Sequence, residues 1–100
     1  SESAIAALGI SNVETSGLVA GNPYPNPVGE TLYLDLNNPA KGMAQAEVID
    51  LQGRTIFSES MDLSGGKNRI SIPTGYLNKG MYLLKVKIDG LEPVLRRFIR

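Results

Sequence analysis

An antiparallel β-sandwich is the fold that this sequence of 100 residues predicts. Three observations carry the prediction. Apolar and polar residues alternate with period two in several stretches after residue 20. Breaks rich in Gly, Pro and Asn recur at intervals of roughly ten residues, and neither a βαβ alternation nor an internal repeat interrupts the pattern. A chain of this length buries roughly two thirds of the surface its extended form exposes, enough for one core and no second lobe. Eleven glycines and six prolines, with no tryptophan, fit short elements joined by turns.

Residues 1 to 20 read as a linker from an upstream domain, with a strand docked on the sandwich as a further option, and residues 21 to 100 read as the sandwich itself. Ser3 to Leu8 has helix-forming composition but is too short to hold a helix alone, and Gly9 stops it. Ile10 to Val13 and Leu18 to Ala20 each suit a short strand. In Pro23-Tyr24-Pro25-Asn26-Pro27 the prolines fix φ and push the residues before them out of the helical region. The expected result is a stiff, extended lead-in that protects a sheet edge.

Thr31 to Asn37 places Leu32, Leu34 and Leu36 on one face and Tyr33 and Asp35 on the other, as a half-buried strand requires. Asn38-Pro39-Ala40-Lys41-Gly42 breaks the chain. Ala44, Ala46 and Val48 then alternate with Gln45 and Glu47, and the small inward residues predict a closely facing sheet. Asp50-Leu51-Gln52-Gly53-Arg54 predicts a hairpin with Gly53 at positive φ, leaving Val48 and Ile56 on adjacent antiparallel strands. Arg54 to Leu63 is long and mixed, with room for a bulge, and Ser64-Gly65-Gly66 ends it.

Asn68 to Pro73 turns Ile70 and Ile72 to one face, and Pro73 closes the strand or marks an edge. Met81 to Ile88 has the cleanest pattern, with Tyr82, Leu84, Val86 and Ile88 opposite Lys85 and Lys87. Gly80 is expected to let the chain approach its neighbour closely. After the Asp89-Gly90 turn, Pro93 to Arg100 forms the last strand. Leu95 and Ile99 share a face with Arg97, while Val94 and Phe98 share one with Arg96. Both faces are partly apolar, which suits an edge strand whose arginine stems lie over the core.

The composition also excludes. Without cysteine there is no disulfide framework, thiolate nucleophile or Cys-based zinc site, and without histidine the commonest general base and metal ligand is missing. Ten carboxylates are scattered on polar faces, a Ser71–Lys85 pair is marked by nothing around it, and isolated Asp50 and Asp62 do not supply a calcium loop. The expectation is a non-catalytic domain with neither cofactor nor metal. Four tyrosines and two phenylalanines, several of them inward, make a poor sugar platform, and a net charge of zero does not favour nucleic acid. No apolar run reaches the roughly 18 residues of a membrane-spanning helix, and direct membrane insertion is not expected. Ser-Glu-Ser-Ala lacks the basic start of a signal peptide, so an export signal would lie upstream.

Charge is uneven along the chain. Residues 1 to 66 carry eight acidic and two basic side chains, and residues 67 to 100 carry two acidic and eight basic. The expectation is that early and late strands lie side by side and neutralise each other, with a basic interaction tail kept as the alternative.

Four pieces occur in a fixed order: Tyr24-Pro25-Asn26-Pro27, Asp50-Leu51-Gln52-Gly53-Arg54, Leu77-Asn78-Lys79-Gly80-Met81-Tyr82-Leu83-Leu84-Lys85-Val86, and Arg97-Phe98-Ile99-Arg100. Together they closely resemble the type A C-terminal sorting domain of the type IX (Por) secretion system, over about residues 24 to 100. The resemblance implies an Ig-like sandwich of about seven strands at the end of secreted cargo. It implies transit through the periplasm, recognition by the translocon and its shuttle proteins, and delivery to the outer-membrane surface or the medium. It further implies removal by a sortase-like peptidase in most members, whose upstream cargo is anchored or released. Translocon recognition would fall on Tyr24, Pro25, Asn26, Pro27, Gly53, Arg54, Gly80, Tyr82, Arg97, Phe98, Ile99 and Arg100. Two departures stand out: Asn22-Pro23 precedes Tyr24 where the family often has a hydrophobic residue, and arginines close the chain where lysine is frequent. The alternative reading is an Ig-like or fibronectin-like adhesion or spacer module retained on a surface protein, and pairing of exposed edges into a homodimer stays open.

Overall fold

The computed structural model describes residues 18–100. Seven strands form in chain order: β1 (Val19–Ala20), β2 (Thr31–Asn38), β3 (Gly42–Ile49), β4 (Thr55–Leu63), β5 (Gly66–Pro73), β6 (Met81–Ile88) and β7 (Val94–Ile99). They build two antiparallel sheets, ordered β1-β2-β5 and β4-β3-β6-β7. The expected all-β sandwich is the fold of the protein. Ser3 to Leu8, Ile10 to Val13 and all but the last three residues of the expected linker lie outside the described residues.

The core follows from the period-two pattern. Leu32, Leu34 and Leu36 of β2 and Ile70 and Ile72 of β5 turn inward onto Ala44, Ala46 and Val48 of β3 and Tyr82, Leu84, Val86 and Ile88 of β6. Each large aliphatic side chain removed from water contributes about 1.5–3 kcal/mol before the entropy of ordering is charged against it.

The sheets are offset. At one side β1 lies beside β7, because Arg96 reaches from β7 to the main-chain carbonyls of Ala20 and Gly21, both at 2.9 Å. At the other side no strand among the described residues lies above β4. Phe57, Glu59 and Met61 share the inward face with Val48, Ala46 and Ala44, yet Phe57 and Met61 are only half-buried and Glu59 is exposed.

Val48 and Ile56 lie on adjacent antiparallel strands as expected, and the bulge for which β4 had room falls at its start: Ile49 faces Thr55 and Val48 faces Phe57, so Ile56 is the extra residue. Two local expectations change. The proline stretch is not extended. The Tyr24-Pro25 and Asn26-Pro27 peptides are cis, and the chain bends through Pro25–Pro27. Gly80 does not serve a close approach, since a Cβ there would meet no atom within 4 Å; its φ of +155° is instead one that L residues rarely adopt.

Candidate functional site

Tyr24 enters the three-stranded sheet through a reciprocal pair of main-chain hydrogen bonds with Tyr33, of 3.0 and 2.9 Å. Their rings stack on the outer face with centroids 5.7 Å apart. The Tyr24 hydroxyl donates to Asp35 at 3.1 Å, the Arg69 Nε donates to the same carboxylate oxygen at 2.9 Å, and the guanidinium lies 5.8 Å from the Tyr24 ring centre. Arg69 holds the Asp35 carboxyl below its ordinary range, with a smaller contribution from Tyr24. Partial desolvation, followed by the bond to Asp35, pushes the Tyr24 hydroxyl up. This clip fixes where the bend at Pro25–Pro27 begins.

Beyond the bend, three segments knot together at one end of the sandwich. Val28 is buried, and its N–H donates to the Ile99 carbonyl at 2.8 Å. Thr74, fully buried, donates its hydroxyl to Gly29 at 2.7 Å and its N–H to Glu30 at 2.8 Å. Arg100 donates from Nε to the Thr74 carbonyl at 2.9 Å and from Nη2 to that of Gly75 at 3.1 Å, while its N–H meets the Gly80 carbonyl at 2.9 Å. Beneath this knot the Tyr82 and Phe98 rings stack at 5.6 Å, and the Tyr82 hydroxyl donates to Asn78 at 2.6 Å.

The Gly53 hairpin sits at the same end, because Ile49 lies beside Leu83 while Met81 lies beside Ile99. Gly53 has φ +86°, the left-handed value that the tight reversal requires. Asp50 organises the loop: its carboxylate accepts the Gln52 N–H and the Arg54 N–H at 2.9 Å each, and the Arg54 Nε at 2.8 Å. These donors hold its carboxyl below the ordinary range, the Arg54 N–H first among them.

The four sequence pieces, far apart along the chain, thus converge on one end. The basic ribbon expected at the close of β7 is only partly present as such. Arg96 and Arg100 are both half-buried, clasped to carbonyls of the opposite layer, and Phe98 is buried. These three groups brace the fold. Arg97 alone among the arginines of β7 points outward, between Leu95 and Ile99, which are 52% and 44% exposed. With Met81, Leu83 and Ile49 on neighbouring strands they form an apolar, basic outer face.

β7 is an edge strand. The bond from Arg100 N–H to Gly80 sets the alternation of the ladder, so the main-chain groups of Leu95, Arg97 and Ile99 point away from β6. Val28 and Arg96 occupy the Ile99 and Leu95 carbonyls. The outward N–H groups of Leu95, Arg97 and Ile99, and the Arg97 carbonyl, are donors and an acceptor that strand pairing could use. Sequence reading missed Thr74, Val28 and the Asp35–Arg69 pair. Only the pair had a sequence signal, as opposite charges on two period-two strands.

No curated protein sequence matches the chain. Residues 22–99, including all four motif pieces apart from Arg100, match the model of the secretion system C-terminal sorting domain. An all-β sandwich whose ordered motifs meet at one end, matched over more than half its length, belongs to the family of type IX secretion C-terminal sorting domains.

Proposed function

We propose that this domain is a non-catalytic address that takes its parent protein across the periplasm and through the type IX outer-membrane translocon to the cell surface or the medium. Its partners on that route are the translocon with its shuttle proteins and a sortase-like peptidase, which separates it from the upstream cargo by cutting within residues 1 to 22. Recognition runs through the folded sandwich together with β7. Arg97 and Ile99 make the contacts, and Tyr24, Pro25, Asn26, Pro27, Gly53, Arg54, Gly80, Tyr82, Phe98 and Arg100 shape the end that presents them.

The observation that supports this reading is the convergence of the motif pieces around an edge strand that still carries outward N–H groups and an exposed cation. Such an edge can add to another protein's sheet. The test is a reporter fused ahead of residue 1 and expressed with and without the translocon. Surface labelling should find it displayed only with the translocon, and Arg97→Glu should leave it in the periplasm. Display without the translocon, or undiminished display of the variant, would contradict the proposal. Mass spectrometry of displayed cargo should find a new C-terminus within residues 1 to 22; an intact junction would remove the peptidase from the scheme.

A further inference from the structure

We infer that the side of the sandwich opposite β7 is a receiving groove for an extended polypeptide strand, made by the open edge of β5 and the uncovered inward face of β4. The inference is independent of the sorting role. Its first element is the edge. Tyr33 spends its main-chain bonds on Tyr24, so Leu32, Leu34 and Leu36 bond toward β5, and Ile70, Ile72 and Asn68 answer them. Lys67, Arg69 and Ser71 therefore turn their N–H and C=O groups away from β2, and no strand among the described residues pairs with them.

The second element is the floor. β4 crosses to β5 through Ser64 and Gly65 alone, so the two edge strands lie on the same side of the molecule. A strand added to β5 would lie above β4, where the four-stranded sheet extends past the three-stranded one. It would cover Phe57, Glu59 and Met61, which are left half-buried or exposed on an otherwise buried face.

The floor states the chemistry of the occupant. Phe57, Glu59 and Met61 read apolar, acidic, apolar at period two, so the covering strand presents apolar, basic, apolar residues downward. On its upper face it runs beside exposed Lys67 and the Arg69 that Asp35 already pairs, so that Lys67 favours an acidic residue there. The occupant is thus a segment of a partner protein in which an arginine or lysine stands two residues from an apolar residue on either side, with at least one carboxylate between. Main-chain bonds to β5 supply affinity, and the Glu59 contact supplies selection. A second copy offering β4 to this groove would bring Glu59 against Glu59, which the charge pattern disfavours.

The probe is a fluorescein-labelled peptide of sequence SLERELS, titrated against the full 100-residue chain by anisotropy. Saturable binding is expected. Glu59→Arg, on an exposed side chain, should weaken it by roughly tenfold or more. The peptide SLEEELS should recover that loss on the variant. Ser71→Pro removes an outward N–H that the ladder does not use and should also weaken binding, with the circular dichroism spectrum unchanged. No binding, or binding indifferent to both substitutions, would overturn the inference. So would a self-associated chain whose Lys67, Arg69 and Ser71 amides are protected from exchange, since a second copy would then hold the groove.

Discussion

Thr74 satisfies two main-chain carbonyls and one side chain from one fully buried position: its hydroxyl and N–H donate to Gly29 and Glu30, and its carbonyl accepts from the Arg100 guanidinium. Thr74→Val keeps the volume but orphans the Gly29 carbonyl, at a cost of about 1–2 kcal/mol. A lower urea midpoint at unchanged slope would report it. Nothing around Thr74 marked it in the sequence, because its partners are set by tertiary proximity. Asp50 was legible as a turn residue, though its three donors were not. The donors from Arg54 and Gln52 hold its carboxyl below the ordinary carboxylate range in the folded chain, so its contribution is complete above that range and fades as pH falls through the lower folded value. Thermal melts between about pH 5 and 2 should therefore show a shallower loss of stability for Asp50→Asn than for the parent, because the variant has no such charge to lose. Equal slopes would remove Asp50 from the acid response.

At the level of elements, alternation made β2, β5 and β6 readable, since one face of each is buried and the other is polar. β4 and β7 were harder because each is an edge strand: β7 carries apolar residues on both faces, and exposed Glu59 interrupts the inward face of β4. In β4 a single bulged residue shifts the pairing at Ile56, and pattern alone allowed a bulge without giving its position. In β7 the arginines gave no sign of which would be clasped. Arg96 holds β1 against β7, and β1 is only two residues long. Arg96→Ala should therefore speed amide exchange at Gly21, whose N–H bonds Asp35, while leaving amides in β3 and β6 slow. Uniform acceleration would mean that Arg96 supports the whole fold. In the hairpin, Gly53→Ala forces an alanine to φ +86° and should cost about 1 kcal/mol.

Across the whole molecule, the charge imbalance between early and late residues resolves as the pattern predicted for neighbouring strands. Glu47 stands beside Lys85, and Asp35 beside Arg69. Asp35–Arg69 is an exposed ion pair of small individual worth, Glu47 and Lys85 are half-buried cross-strand neighbours, and the late half supplies bracing arginines as well as a basic surface. That double duty decides how the sorting role must be tested. Deleting residues 97 to 100 removes Arg97, but also buried Phe98 from its stack on Tyr82, the Ile99 carbonyl from Val28, and the Arg100 clasp. Truncating a buried phenylalanine alone costs about 3–5 kcal/mol, against a total stability of about 5–15 kcal/mol for a domain. The deletion would thus fail to export whether β7 is read by a receptor or merely needed for folding. Two point substitutions separate the cases. Phe98→Ala should lower the urea midpoint severely and reduce export in proportion to the unfolded fraction. Arg97→Glu changes an exposed side chain, should shift stability by no more than about 0.5 kcal/mol, and should still abolish display. If export across such variants follows stability alone, with Arg97→Glu displayed like the parent, then this end of the sandwich acts through its fold and the exposed arginine carries no address.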